Sequence, residues 1–170
     1  MGRRATAGLV LAVGSVLAGC GAQAASDGPA ATEPTVSPSA APSTVLAALR
    51  PCALLSPSDR STAGLTSLGK DKTIGTARAC DWTETGTFGL TITLDDTAAL
   101  ADLNTAGGKP VTVGRHHGVR VGSTGGCGVL LAAGDRATAQ VDVTNASFTG
   151  SAAACDKATT VAGLIEPKLP

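Results

Sequence analysis

The sequence predicts an α+β domain: an antiparallel meander covered by about three helices and cross-linked by two disulfides. Three observations predict it. Short runs alternate apolar with polar residues and are separated by glycine-containing turns. A helical apolar stripe closes the chain. Four cysteines are spread through a segment that carries two Phe, one Trp and no Tyr, too few large side chains for a thick core.

The elements follow in chain order. Ser56-Pro57-Ser58-Asp59 predicts a helix start, with Ser as N-cap, Pro at the first helical position and a carboxylate in the first turn. Gly64 keeps that helix short. Cys80-Asp81-Trp82-Thr83-Glu84 reads as a strand with Cys80 and Trp82 on one face. A turn at Thr85-Gly86 leads to residues 87–94, where Phe88, Leu90, Ile92 and Leu94 alternate with small or polar residues. Asp95 or Asp96 is expected to cap a helix running to about Ala106, stopped by Gly107-Gly108.

Val111 and Val113 predict a strand, Val119 and Val121 a short extended piece, and Gly122–Gly126 a mobile glycine-rich loop. Cys127, Val129 and Leu131 alternate next. Gly134-Asp135 then turns the chain into Ala137, Ala139, Val141 and Val143. From about Ala152 to Ile165, the residues Ala154, Ala158, Val161, Ala162 and Ile165 share one helical face, ended by Pro167. Helices interrupt too few of these strands for a parallel, βαβ-wound sheet.

The N-terminal region has its own grammar. Arg3-Arg4 precede an uncharged apolar run of signal-peptide length, shorter than the ~20 residues of a membrane span. Leu17-Ala18-Gly19-Cys20 resembles the bacterial lipobox, [LV]-[AST]-[GA]-C, at every position. That resemblance implies a lipoprotein signal peptide at residues 1–19, with Cys20 acylated as the mature N-terminus. Two acyl chains anchor stably where one is marginal. Residues 20–50 are dominated by Ala, Pro, Ser and Thr and are expected to be a disordered tether, leaving residues 51–170 as one domain. Loss of the leader removes two arginines and no acid, which leaves a formal charge of −2 and no basic stripe for nucleic acid.

Export makes disulfides the default for Cys52, Cys80, Cys127 and Cys155, and no C-x₂₋₄-C pair favours zinc. Three connectivities are open. The expected one pairs Cys52 with Cys80 and Cys127 with Cys155, closing two loops of about 28 residues each.

Pro51-Cys52-Ala53-Leu54-Leu55-Ser56-Pro57 followed by Cys80-Asp81-Trp82 resembles the PC-x-LL-[ST]-P … C-x-W hallmarks of an actinobacterial lipoprotein family of unknown function. The resemblance covers roughly residues 50–170. It implies export, an α+β domain and surface display, and it transfers no catalytic residue. The first helix departs from the family pattern at Arg60-Ser61-Thr62. The element order is also similar to the α/β/α sandwich of PsbP-like proteins.

Chemistry-bearing residues are sparse. Arg115, His116, His117 and Arg120 form the one candidate anion-binding cluster, although adjacent histidines on a strand point to opposite faces. A solvated turn is the expected reading of that stretch. Asp95-Asp96 reads as a helix cap, and Trp82 as core packed over a disulfide in preference to a sugar platform. No catalytic, metal or cofactor constellation is expected.

The expected function is a monomeric, non-catalytic binding domain at the outer face of the cell membrane. It is held there by its lipid and meets an envelope ligand or protein. An accessory subunit docking to a membrane complex and an envelope hydrolase are the alternatives. An apolar pocket between sheet and helix would favour the first, a flat exposed apolar patch the second, and a polar cleft holding His116 or His117 beside an acid the third.

Overall fold

The computed structural model describes residues 45–147 and 150–170. The leader, Cys20 and most of the expected tether lie outside the described residues. Seven antiparallel strands form one sheet: β1 (Lys70–Ile74), β2 (Ala77–Glu84), β3 (Phe88–Asp95), β4 (Lys109–Val113), β5 (His116–Ser123), β6 (Gly126–Gly134) and β7 (Ala137–Asn145). Their spatial order is β1-β2-β3-β7-β6-β5-β4. The helices are α1 (Val45–Ala48), α2 (Pro57–Ala63) and α3 (Ala152–Ile165). The predicted α+β class, the antiparallel sheet and both disulfides are all present, with bridges Cys52–Cys80 and Cys127–Cys155.

Register explains why one face is dry. Cys80 stands opposite Ile92, Ile92 opposite Val141, and Val141 opposite Val129. One pleat along, Trp82, Leu90, Val143 and Cys127 make the neighbouring row, and every member of both rows is buried. The five predicted stripe residues of α3 are all buried and pack on β6 and β7. Three of the five are alanines, each of which contributes little at about 0.8 kcal/mol per CH₂. The bridges compensate: Cys127–Cys155 fixes the first turn of α3 to β6, and Cys52–Cys80 fixes the turn Pro51–Ala53 to β2.

Helix α2 starts as expected. Ser56 Oγ accepts from the Asp59 N–H (3.2 Å) while the Asp59 carboxylate accepts from the Ser56 N–H (3.0 Å), a reciprocal capping box. Gly64 ends it at φ 73°, so Arg60-Ser61-Thr62 does not prevent the turn from forming.

Several expectations are corrected. No helix occupies residues 95–106. Asp95 Oδ1 instead accepts from the Thr97 N–H, the Thr97 hydroxyl and the Ala98 N–H, an Asx turn that competes with helix initiation. Only a 3₁₀ turn follows, at Leu100–Asp102. This connection runs from β3 to the far edge strand β4 and crosses the sheet over β6. All three helices therefore lie on one face, and the second face is covered partly by an irregular crossover, so the layers are not those of an α/β/α sandwich.

Strand β1 is unforeseen because every one of its residues is exposed. The extended piece at Val119 and Val121 is a full eight-residue strand. Gly122–Gly126, expected as a mobile loop, is a tight hairpin in which Ser123 pairs with Gly126. The folded domain also begins upstream of residue 51: Leu46 is completely buried in the core.

Candidate functional site

Two of the polar groupings bear on function, one on each face. The first contains the cluster singled out from the sequence. The β4–β5 turn consists of Gly114 and Arg115, since Val113 pairs with His116. Gly114 is required there: its φ is 55°, and a Cβ would sit 2.3 Å from the Glu166 carboxyl. Glu166 Oε1 accepts from the Arg115 N–H at 3.0 Å and lies 2.9 Å from His116 Nδ1. His116 Nε2 faces the Pro170 carbonyl oxygen at 2.9 Å, and Arg115 Nη2 donates to the Leu169 carbonyl at 2.6 Å. The Arg115 N–H, and after it the His116 ring, hold the Glu166 carboxyl below its ordinary range.

The expected solvated turn is thus corrected in part. His116 is buried, with both ring nitrogens occupied in fastening the segment that follows α3. His117 is exposed on the opposite face, as strand alternation requires. Arg120 lies further along, opposite Lys109 and near the first turn of α3. The four residues do not converge, so they form no common anion site. His116 does stand beside an acid, but as a packed latch and not in an open cleft.

The second place is the face that the helices leave open. Lys70, Asp81, Thr91, Asp142, Gly128 and Val121 stand in one row across it. A cleft of about 320 Å³ lies over β5, β6 and β7, with Leu103 and Asn104 of the crossover among its lining residues. Leu130 and Val121 supply apolar lining, and Leu130 is buried here, outside the main core. Gly128 is buried and leaves room for the carboxylate opposite it; a Cβ on it would meet Asp142 Oδ1 at 2.8 Å.

Asp142 is the one ionisable side chain of this cleft. Gln140, two residues along the same strand, donates from Nε2 to both carboxylate oxygens, at 3.0 and 2.8 Å. Burial pushes the Asp142 carboxyl above its ordinary range, and the Gln140 hydrogen bonds only partly offset this. Sequence reasoning missed the site because Gln140 and Asp142 read as the wet side of an alternating strand. The available signal was Gly126-x-Gly128 placed opposite Asp142-x-Thr144 across one hairpin.

Trp82 is buried, as expected, and presents no stacking surface. Its Nε1 is a buried donor without a protein partner among the described residues. No three His, Cys, Asp or Glu side chains among the described residues converge to hold a metal ion. No described helix is long and apolar enough to cross a membrane.

The fold and the open face define a class: a single-sheet α+β domain, helical on one side, stapled by two disulfides, with a small cleft on its polar side. The sequence matches the family described as "Protein of unknown function (DUF3558)" over residues 15–168, and the chain belongs to that family. No curated protein and no solved structure matches it.

Proposed function

We propose that this is an exported lipoprotein, anchored through Cys20, whose domain binds a small envelope ligand in the cleft beside Asp142 and performs no chemistry on it. The observation that carries the binding reading is that cleft: concave, glycine-floored, and lined by apolar residues and neutral polar ones around one desolvated carboxylate. Export is supported by the leader ending in Leu17-Ala18-Gly19-Cys20 and by two disulfides, which persist outside the cytoplasm. A tether between Cys20 and Val45 gives the domain reach along the membrane surface. The ligand is assigned to the open face and not to the space between sheet and helix, where Val129, Val141, Ala158 and Val161 are buried in the core.

A second reading, a docking subunit, draws on Leu68 and Ile74. Leu68 lies just before β1 and Ile74 is its last residue; they are 78% and 44% exposed.

The test is isolation of the wild-type protein and of Cys20→Ala from fractionated cells, followed by mass spectrometry of whatever co-elutes. Wild type is expected in the membrane with an acylated Cys20, and Cys20→Ala is not; both should carry the same small molecule. Identical membrane retention with an uncleaved leader overturns the anchor. A stoichiometric protein with no small molecule moves the assignment to the docking subunit, and turnover of an envelope substrate overturns the non-catalytic reading.

A further inference from the structure

The geometry points to a ligand class for this cleft: we infer that it takes a small organic cation, an amino or guanidino group on a compact apolar body, with Asp142 as counter-ion. The inference rests on the binding-module reading above and sharpens it.

The argument begins with what surrounds the carboxylate. Elsewhere in the domain, the carboxylates with displaced pKa values have donors that favour the charged form. Asp59 is held by Lys168 and Ser56, and Asp81 by Lys72 and Thr91. Glu84 is held by Thr66 and Ser67, Asp95 by Thr97 and Ala98, and Glu166 by Arg115 and His116. All five are shifted downward.

Asp142 alone in this group shifts upward: burial raises it, and its one bonded partner among the described residues, the neutral amide of Gln140, offsets only part of that cost. The hydroxyl nearest in register, that of Thr91, donates to Asp81 Oδ1 at 2.5 Å and is spent there. A carboxylate has about four lone-pair sites, and a single amide nitrogen does not fill them.

The lining then selects among ligands. It contains no Lys, Arg or His, so an anion meets the carboxylate with no positive charge to offset the repulsion. A neutral polyol supplies donors but leaves the desolvated charge uncompensated. A divalent metal wants several oxygen ligands, and this cleft has one carboxylate. An organic cation supplies both charge and N–H donors to Asp142. Its apolar part meets Leu103, Val121 and Leu130, and a volume of about 320 Å³ is at the small end of ligand sites.

The experiment titrates the ¹⁵N-labelled full chain with three probes sharing one ring: cyclohexylamine, cyclohexanol and cyclohexanecarboxylate. The amine is expected to move the amides of Asn104, Gly126 and Gly128 saturably in the millimolar range. The alcohol should bind at least about 10-fold more weakly, and the carboxylate not at all. Asp142→Asn should reduce the amine to the level of the alcohol, a loss of about 10- to 100-fold. Should Asp142→Asn fail to fold, Leu103→Ala serves instead; it is expected to weaken amine and alcohol alike while preserving their order.

Equal responses to amine and alcohol, an amine response unchanged in Asp142→Asn, or shifts confined to another surface overturn the inference. If the amines fail while a small molecule from the envelope still moves Gly126 and Gly128, the ligand class falls and the binding module stands. If neither moves them, both fall.

Discussion

Leu46 offers a sharp test of where the folded domain begins. Composition places residues 20–50 in a tether, yet Leu46 has no exposed surface and belongs to the core. The Arg78 side chain fastens the same segment: Nη2 donates to the Leu46 carbonyl at 3.0 Å, and Nη1 donates to the Leu49 carbonyl. Arg78 is itself paired with Asp96 at 2.7 Å. Truncating a fully buried leucine costs about 2–5 kcal/mol, and a one-turn helix at the margin of the core can relax, so the low end applies. Leu46→Ala should therefore lose about 2–3 kcal/mol, which for a domain of this size lowers Tm by about 10 °C. Urea unfolding gives the free energy and a thermal melt gives Tm. Ala47→Ser, at an exposed neighbour, should leave both unchanged. If Leu46→Ala falls within about 0.5 kcal/mol of wild type, the segment is not docked and the fold begins at Pro51.

Two further outcomes follow from the cross-links and the latch. Replacing Cys127 and Cys155 together by alanine opens a loop spanning 28 residues and should cost about 3–4 kcal/mol, read as a lower urea midpoint; no change in midpoint would show that the bridge does not constrain the unfolded chain. The Glu166 carboxyl has a folded pKa below its ordinary 4.5, so its contribution is complete above the unfolded value and is lost as pH falls through the folded one. Wild type should thus lose more stability than Glu166→Gln between about pH 6 and pH 3, and parallel pH profiles would show that the latch carries no such linkage.

Legibility in the sequence tracked distance along the chain. Elements declared by their own residues were readable: the Ser56 cap, the alternation of β3, β6 and β7, and the stripe of α3. Strand β1 was not, because an exposed edge strand of Lys, Asp and Thr carries no apolar period, and its charges are what keep such an edge from pairing with another chain. The segment after Asp95 had the composition of a helix, but the Asp95 side chain captured the first free N–H groups. His116 looked solvated because its partner, Glu166, is fifty positions away. The cleft was the least legible feature. It is made by a crossover passing over a hairpin, and neither of these signals the other.

The position of the bridges within the strand order bears on how the chain comes to be oxidised. β1, β2 and β3 precede the crossover and contain or contact the first cysteine pair; β4 to β7 and α3 follow it and contain the second. The two halves are joined in the sheet only where β7 lies against β3, a pairing of residues some fifty positions apart. Neither bridge spans that seam. Each links cysteines that are neighbours in order of synthesis, so an oxidant acting on thiols as they emerge produces the native pairs by default. An isomerase has no crossed pairing to correct, and the slow step left to the chain is the long-range closure of β7 onto β3.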